Sequence, residues 1–227
     1  MLELLRPRPA GRIADSIPRE EESVPLPMDE IKSRPVYPGL EPDLCASSNI
    51  IVCDRDGVGA VANMLRAANA DFATKTTVLL CTDDFATLQS LEAQIETLKP
   101  AVTIALPNLN AAIAALGERL FRAKMGTRVY AAGSEPLIGS TVQRAMRFGV
   151  DHRSVRCEHR GSLKRRVQCV HCKGMTEDVT VSPVKCAHCG LMLTVRDHYS
   201  RRLGAFQGVR VDAEVPGEVP EQQVLFQ

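Results

Sequence analysis

The sequence Cys169-Val-His-Cys172 is followed, after thirteen intervening residues, by Cys186-Ala-His-Cys189-Gly190. Two C-x-x-C pairs this close together are typical of a site in which four thiolates bind one tetrahedral metal ion. Zinc at such a site contributes an apparent free energy of roughly 10–16 kcal/mol, which is enough to fold a small segment that has little hydrophobic core. Hydrophobic runs at residues 179–184 and 191–195 predict strands beside the two pairs. We therefore predict a zinc ribbon, and its expected ligands are Cys169, Cys172, Cys186 and Cys189.

The same four thiolates are also compatible with iron. A rubredoxin-like iron site or a [2Fe–2S] cluster uses cysteine ligands too, although such sites have longer gaps or a different cysteine spacing. Zinc is therefore the favoured metal. His171 and His188 lie inside the two pairs, where a histidine can replace a thiolate. Residues at these positions more often face solvent or a partner, so both histidines are left outside the predicted ligand set.

A different pattern occupies the middle of the chain. Aliphatic runs predict five strands, at residues 50–53, 76–81, 102–105, 128–132 and 154–157. Helical patterns lie between them, at residues 57–70, 83–98, 110–124 and 136–148. Strands that alternate with helices imply right-handed crossovers and a parallel sheet covered on both faces. We predict a five-stranded, doubly wound α/β domain over residues 46–159, followed by the zinc ribbon and a docking segment over residues 160–210.

The two ends of the chain have another composition. Residues 1–45 contain eight of the fourteen prolines, which break helices. This composition predicts either a disordered tail or an extended arm that lies along another subunit. The apolar residues that would anchor such an arm are Val24, Leu26, Val36, Tyr37 and Leu40. Residues 211–227 are acidic and contain proline, and we predict a flexible tail there.

The charge of the chain is unevenly distributed. The net charge is only +1, but residues 151–210 carry twelve Lys or Arg and five Asp or Glu, a net charge of +7. A basic C-terminal module suits an acidic partner, either a protein or a nucleic acid. Aromatic residues make up only 4% of the chain and Trp is absent, so we do not expect the chain to stack on nucleic-acid bases.

The first residues lack the apolar run of a signal peptide, and no segment has the ~20 apolar residues of a membrane span. We therefore expect a cytoplasmic protein with reduced cysteines. The cysteines outside the metal motif, which we expect to be buried thiols, are Cys45, Cys53, Cys81 and Cys157.

A dense mixture of charged and aromatic residues follows the second cysteine pair. We predict that it forms a docking surface for a partner, made by Arg196, Asp197, His198, Tyr199, Arg201 and Arg202. His198 has no nucleophile or second base near it in the sequence, so we predict no catalytic residue in this chain.

Residues 49–159 resemble the nicotinamide-binding domain of the ferredoxin reductase family. In that family a glycine-rich turn follows the first strand and a Cys-Gly-Pro turn follows the fourth. Here Gly57-Val-Gly59 and Ala132-Gly133-Ser134 stand at these positions, and Val155-Arg-Cys-Glu158 resembles the last strand. The family's Thr-Pro after the first turn and its flavin barrel are missing. The resemblance therefore implies a domain that has lost hydride transfer. Either it keeps a vestigial nucleotide site at Gly57, Gly59 and Gly133, or, as we favour, it is a structural α/β domain used for subunit contacts.

The cysteine motifs and Val195-Arg-Asp-His-Tyr-Ser-Arg-Arg-Leu-Gly-Ala-Phe-Gln-Gly-Val209 resemble the small zinc-ribbon subunit of bacterial dimethylamine monooxygenase, a DmmA-like subunit of gamma type. The resemblance covers residues 45–210. It implies a multisubunit oxidoreductase that uses NADPH and O2 to convert dimethylamine to methylamine and formaldehyde. It also implies Zn²⁺ on this chain, and FMN, a 2Fe–2S centre and haem on larger partner subunits. By this resemblance, the chain is a non-catalytic subunit that assembles the complex.

Two other classes of function remain open at this point. The basic C-terminal module is also compatible with a nucleic-acid-binding zinc ribbon, whose affinity would fall steeply with salt. The glycine turns are compatible with a stand-alone NAD(P)H-binding domain.

Overall fold

A computed structural model describes residues 33–227, and a five-stranded parallel sheet lies in their first half. Its strands are β1 (Ser48–Asp54), β2 (Thr76–Cys81), β3 (Val102–Leu106), β4 (Thr127–Gly133) and β5 (Arg156–His159). Their order across the sheet is β3-β2-β1-β4-β5, and every neighbouring pair is parallel. The central strand β1 reads Ser-Asn-Ile-Ile-Val-Cys-Asp and is buried on both faces, as the continuous aliphatic run predicts.

Helices cover both faces of this sheet. They are α1 (Val58–Ala67), α2 (Ala70–Thr74), α3 (Phe85–Glu96), α4 (Leu109–Phe121) and α5 (Glu135–Arg147). Successive side chains of β1 point to opposite faces. Ile50 and Val52 pack with residues of α4 and α5, whereas Ile51 and Cys53 pack with residues of α1, α2 and α3. The prediction of a doubly wound α/β domain is therefore confirmed.

Two elements differ from the sequence prediction. The helix predicted over residues 57–70 ends at Ala67, because Asn69 starts a new helix: its Oδ1 accepts a hydrogen bond from Phe72 N at 2.9 Å. The strand predicted over residues 154–157 lies at Arg156–His159. A short 3-10 helix precedes it, and Asp151 caps that helix by accepting a hydrogen bond from Arg153 N at 2.8 Å. Local side-chain capping, which competes with strand and helix periodicity, explains both differences.

A second, smaller sheet follows. It contains β6 (Arg165–Cys169), β7 (Met175–Val179), β9 (Val184–Lys185), β10 (Met192–Ser200) and β11 (Ala205–Arg210), and its order is β7-β6-β11-β10-β9. The short strands β8 (Val181–Ser182) and β12 (Gln223–Val224) form a separate pair. Strands β6 and β11 are parallel, and the other pairs of the smaller sheet are antiparallel.

The prediction of a flexible tail over residues 211–227 is wrong for the last residues of the chain. Strand β12 pairs with β8, and the N–H of Leu163 donates to the Gln227 carbonyl at 2.9 Å. Phe226 is only 5% exposed and packs against Val167 and Val179 of the smaller sheet. The acidic composition of residues 211–227 predicts a flexible tail, but the burial of Phe226 anchors its end.

Residues 37–40 lie against the larger domain of this chain. Gly39 N donates to the Cys157 carbonyl at 3.2 Å, on the outer edge of β5. Tyr37 Oη donates to Glu135 Oε1 at 2.6 Å, and Leu40 packs against the core under α1 and α3. Val36 is exposed, and the predicted anchors Val24 and Leu26 lie outside the described residues.

The four remaining cysteines are not all buried. Cys53, Cys81 and Cys157 are buried, and burial raises the pKa of each of their thiols. Cys45 is exposed, because it lies in the turn before β1 and not in a strand. Across residues 33–227, none of the helices has the length and apolar character needed to cross a bilayer.

Candidate metal centre

Four sulfur atoms meet at one end of the smaller sheet. Cys169 ends β6 and Cys172 lies in the following turn, whereas Cys186 follows β9 and Cys189 lies in the turn before β10. All four Sγ atoms lie within 4.8 Å of one another. The Cys169–Cys189 and Cys172–Cys186 sulfur pairs are 3.8 Å and 3.7 Å apart. A tetrahedral zinc ion with Zn–S bonds of about 2.3 Å requires sulfur atoms about 3.8 Å apart. The observed spacing therefore fits one metal ion.

The two C-x-x-C turns have the same backbone geometry. Lys173 N donates to the Cys169 carbonyl at 2.9 Å, and Gly190 N donates to the Cys186 carbonyl at 3.1 Å. Lys173 and Gly190 both have left-handed backbones, with φ of 64° and 75°. In the first turn, Gly174 N also donates to Cys172 Sγ at 3.4 Å. The repeated turn directs both sulfurs of each pair inward. The N–H of Gly174 points at Cys172 Sγ, where it would stabilise a negative charge.

The electrostatics of the cluster favour a thiolate at Cys186 and oppose one at Cys189. Burial opposes charge on Cys186, but the backbone N–H groups of Cys189 and His188 outweigh it and lower the pKa of the Cys186 thiol to about 6. At Cys189 the backbone N–H of Leu191 favours the thiolate, yet burial and the neighbouring sulfurs raise its pKa to about 12. A thiolate at one cysteine thus raises the free energy needed to form a thiolate at its neighbour. A divalent cation among the sulfurs removes that repulsion.

The two histidines lie outside the group of sulfurs. His188 Nε2 lies 2.9 Å from the Met175 carbonyl, and its ring rests on Gly174, where an added Cβ would come within 2.5 Å of the ring. Ala187 N donates to Thr176 Oγ1 at 3.2 Å and ties the second turn to β7. His171 is exposed. His188 therefore supports the first turn by packing, as a contact between the two cysteine pairs.

The donor set indicates the kind of metal and its role. Four thiolates with no carboxylate or imidazole select a soft or borderline ion such as zinc or iron. Four protein ligands also leave no coordination position for a water or a substrate, which is typical of a structural site. Leu193, Val184 and Leu191 pack around the sulfurs and limit the access of water.

The glycine turns of the larger domain meet where β1 and β4 end, at the point where the strand order reverses. Open α/β sheets usually bind ligands here. Asp54 accepts hydrogen bonds from Gly57 N at 3.1 Å and from Ser134 N and Oγ at 2.8 Å each. A Cβ on Gly57 would collide with the Ala132 carbonyl, and a Cβ on Gly133, whose φ is +138°, would collide with the Asp54 carboxylate. Two of the three predicted glycines therefore serve a close approach of the chain to itself.

A cleft of about 550 Å³ lies beside this point, between the ends of the strands and the β6–β7 hairpin. Asp54, Arg55, Lys164 and Arg166 are among its lining residues. Gly59, the third predicted glycine, lies on α1, and an added Cβ there would meet open space. The Asp54 carboxylate stands at the N-terminus of α5, where a phosphate would otherwise be favoured, so it opposes anion binding at that position.

The predicted docking segment forms the end of β10 and the turn after it. Arg196, His198, Arg201 and Arg202 are exposed there. Asp197 instead accepts from Arg165 Nη2 at 2.7 Å and pairs with Arg34 at 2.9 Å. Tyr199 is mostly buried and packs edge-on against Phe206, with ring centroids 4.9 Å apart. The structure therefore directs Asp197 and Tyr199 inward, and only the basic members of the set face outward.

Arg165 is the residue that the sequence analysis missed, because it lies in a basic run that reads as a linker. It is 5% exposed, and its guanidinium carbon lies 4.0 Å and 3.9 Å from the ring centroids of Phe206 and Phe226. Burial lowers the pKa of Arg165, while Asp197 opposes that shift. The alternation of Arg165, Val167 and Cys169, all buried on one face of β6, is the signal that could have identified it.

Two family profiles match this chain. The profile described as "Dimethylamine monooxygenase subunit DmmA-like, N-terminal domain" matches residues 29–155, and the corresponding C-terminal domain profile matches residues 166–209. A curated relative from Ectopseudomonas mendocina (strain ymp), the "Heme-dependent oxidative N-demethylase delta subunit", is 33% identical over 101 residues. That match covers 44% of this chain and 58% of the relative's length. The relative carries a delta designation, whereas the resemblance suggested a gamma type.

Solved structures give weaker likenesses. A flavohemoglobin from Malassezia yamatoensis aligns with a TM-score of 0.40 and 16% identity, over 54% of this chain and 33% of its own. A putative short chain dehydrogenase from Pseudomonas syringae aligns with a TM-score of 0.27 and 21% identity, over 51% of this chain and 53% of its own. Both TM-scores lie below 0.5, so neither alignment supports a functional comparison.

Proposed function

Because this chain belongs to the dimethylamine monooxygenase subunit DmmA-like family, we propose that it is an assembly subunit of an N-demethylating oxygenase complex. The observation that carries the proposal is the match of both family domains, in the same order, to the two parts of one chain. We propose dimethylamine as the substrate, with NADPH and O2 consumed by the complex. The haem, FMN and 2Fe–2S centre would reside on larger partner subunits.

The proposed metal of this chain is a structural Zn²⁺ held by the four clustered cysteines, in a zinc ribbon. Two sulfur–sulfur distances of 3.8 Å and 3.7 Å, and four protein ligands that would leave no coordination position open, support this role. The ion would fix the end of β6. The same strand carries Val167 and Arg166 just before Cys169. Arg166 Nη1 lies 3.4 Å from Ser140 Oγ on α5. A metal at the cysteines would therefore also hold the smaller sheet in place against the larger domain.

The proposed non-catalytic role is supported by two carboxylates, Asp54 and Asp197, which form hydrogen bonds or ion pairs within the chain. At the point where the strand order reverses, the Asp54 carboxylate accepts hydrogen bonds from Gly57 and Ser134 of the same chain. In the C-terminal part, Asp197 is paired with Arg34 and Arg165. Both carboxylates therefore stabilise the subunit. The exposed basic side chains of the docking segment, at positions 196, 198, 201 and 202, would contact one of the larger subunits.

Copurification from the native host tests the proposal. Tagged chain should recover larger subunits, identified by mass spectrometry, and the eluate should show a Soret band together with flavin absorbance. Metal analysis of the isolated chain should give about one zinc per chain. A colourless eluate that contains only this chain or nucleic acid would refute the oxygenase role. It would favour the basic zinc ribbon as a nucleic-acid module.

A cysteine variant tests the metal. Cys186→Ser removes one ligand and should lose zinc and weaken the recovery of the larger subunits. Cys45→Ser is the matched control, because Cys45 is exposed and lies outside the cluster. If Cys186→Ser assembles and turns over like the parent chain, the metal site is dispensable for assembly.

The nucleotide-binding alternative has its own test. The cleft of about 550 Å³ beside Asp54 is large enough for part of a dinucleotide. Titration of NADPH against the isolated chain, followed by nicotinamide fluorescence, should show no saturable change if Asp54 excludes the phosphates. Saturable binding that Gly59→Asp abolishes would instead support a retained nucleotide site.

A further inference from the structure

Large apolar side chains are exposed at the end of the larger domain where its strands begin. Phe121, the last residue of α4, is 81% exposed, and Met125 in the following loop is 96% exposed. The smaller sheet contacts α5 at Ser140, and the turn after β10 contacts it at Gln143. Single exposed apolar residues are common on protein surfaces, so the arrangement of these residues decides whether they matter.

The two helices that end at exposed residues are neighbours. Helices α4 and α5 run in the same direction, because each connects parallel strands of one sheet. Gly117 of α4 lies directly against the guanidinium of Arg144 on α5. One turn further along each helix come Phe121 and Phe148, and the Arg144 guanidinium carbon lies 5.1 Å from the Phe148 ring centroid. Phe148 and Met146 are each 37% exposed.

A basic cleft of about 460 Å³ opens beside this apolar patch, between α4 and the first residues of β1 and β2. Its charged lining residues are Lys75, Glu118, Arg119, Arg122 and Lys124. Lys75 is paired with Asp71 at 2.5 Å. Among residues 33–227, no carboxylate lies within 4.0 Å of the cationic groups of Arg119, Arg122 and Lys124. The cleft is therefore positively charged.

Ordinary structural reasons explain only part of this pattern. Cations near the end of α4 interact favourably with its dipole, which accounts for Arg119 and Arg122. The dipole does not account for the exposure of Phe121 and Met125 next to these cations. An apolar centre with a charged rim is the usual composition of a protein–protein interface.

We propose that this surface, defined by Phe121, Met125, Phe148 and the basic cleft, docks a partner subunit that presents carboxylates around an apolar side chain. The proposal rests on the proposed function as a subunit, and it adds a second docking surface to the Arg196–Arg202 segment. The apolar side chain would pack against Phe121 and Met125. The carboxylates would lie over Arg119, Arg122 and Lys124, which have no carboxylate partner among residues 33–227.

Binding of variants to the larger subunits identified by copurification tests this surface. Phe121→Ser with Met125→Ser should weaken binding at least tenfold, and its fold is safe because both side chains are exposed. Arg122→Glu with Lys124→Glu should weaken binding and flatten its dependence on salt between 50 and 300 mM NaCl, about the range in which surface charges become screened. Phe85→Ser is the matched control: Phe85 is 70% exposed but lies at the N-terminus of α3, at the opposite end of the sheet, and should bind like the parent chain.

The outcomes separate the two proposals. If the parent chain binds and the Phe121 and Met125 variant binds equally well, this surface is not a docking site, although the subunit role stands. If light scattering shows that the variant instead converts a dimer of this chain to a monomer without a change in partner binding, the surface pairs two copies and the proposal is wrong. If the parent chain binds no larger subunit, the proposed function itself fails.

Discussion

Replacing Asp197 with Asn tests the buried ion pair that joins β6 and β10 of the smaller sheet and holds Ser33 and Arg34 against them. Asp197 accepts from Arg165 Nη2 at 2.7 Å and from Arg34 Nε at 2.9 Å, and its carbonyl accepts from Ser33 N at 2.9 Å. Arg165 is 5% exposed, and its Nη1 has no hydrogen-bond partner among the described residues. The Asn side chain has the same shape but carries no charge, so the change leaves a buried cation without its anion.

The expected cost follows from the burial of Arg165. Removing one member of a buried ion pair destabilises a protein by about 3–5 kcal/mol. The lower end applies here, because the Asp197 side chain is 26% exposed and Asn keeps one acceptor oxygen. A loss of about 3 kcal/mol lowers the melting temperature of a chain of this size by about 6–12 °C. Limited proteolysis should also become faster near residue 33, where the contact with Asp197 is lost.

Thermal unfolding of the zinc-loaded chain, measured as a function of pH, is the assay. Burial would raise the pKa of Asp197, but Arg165 and Arg34 lower it below the usual value. A carboxyl group whose pKa is lowered by folding contributes stability above about pH 4 and loses that contribution as the pH falls. The difference in melting temperature between the parent chain and Asp197→Asn should therefore be largest at pH 7 and become smaller below pH 4. Asp56→Asn is the control, because Asp56 and Arg55 form a long, exposed pair at 3.6 Å, and it should leave the melting temperature unchanged. Equal melting temperatures for Asp197→Asn and the parent chain would refute the reasoning.

Two further predictions concern single residues of the larger domain. Burial raises the pKa of Glu135 despite the hydrogen bond from Tyr37, so its charge is penalised in the folded state once the pH exceeds about 4.3. Glu135→Gln should therefore stabilise the chain at pH 7 and lose this advantage near pH 4, and a variant that is less stable at pH 7 would contradict the assignment. Gly57→Ala should prevent folding or shift the turn, because its Cβ would collide with the Ala132 carbonyl, whereas Gly59→Ala should stabilise α1 by about 0.5–1 kcal/mol. Circular dichroism and denaturant unfolding of the two alanine variants distinguish these outcomes.

The sequence is informative where one physical signal dominates. The aliphatic run of β1 has no polar competitor, so its strand and the alternation of helices around it are predictable. The cysteine spacing likewise identifies the four sulfurs that meet in the structure. The sequence does not predict the burial of a side chain when that burial depends on a contact with a residue far away in the chain. Asp197 looks like a surface residue until Arg165 and Arg34 approach it, and Phe226 looks like part of an acidic tail until β12 pairs with β8. Neither partner is near in sequence, so no local pattern reports the contact.

The arrangement of β6 explains why a metal in the smaller sheet matters for the whole subunit. Along this one strand, Arg165 contacts Asp197, Arg166 lies 3.4 Å from Ser140 of α5, and Cys169 enters the sulfur cluster. A strand of five residues is not rigid alone, because it gains stability only from its neighbours. The metal would fix its end, and the fixed strand would hold Arg165 where the penalty of its burial is offset by Asp197. Without the metal, β6 would lose this support, and the contacts of Arg165 and Arg166 would loosen together. The proposed ion and the buried ion pair would therefore act on the same element, and together they would hold the predicted docking segment in one orientation.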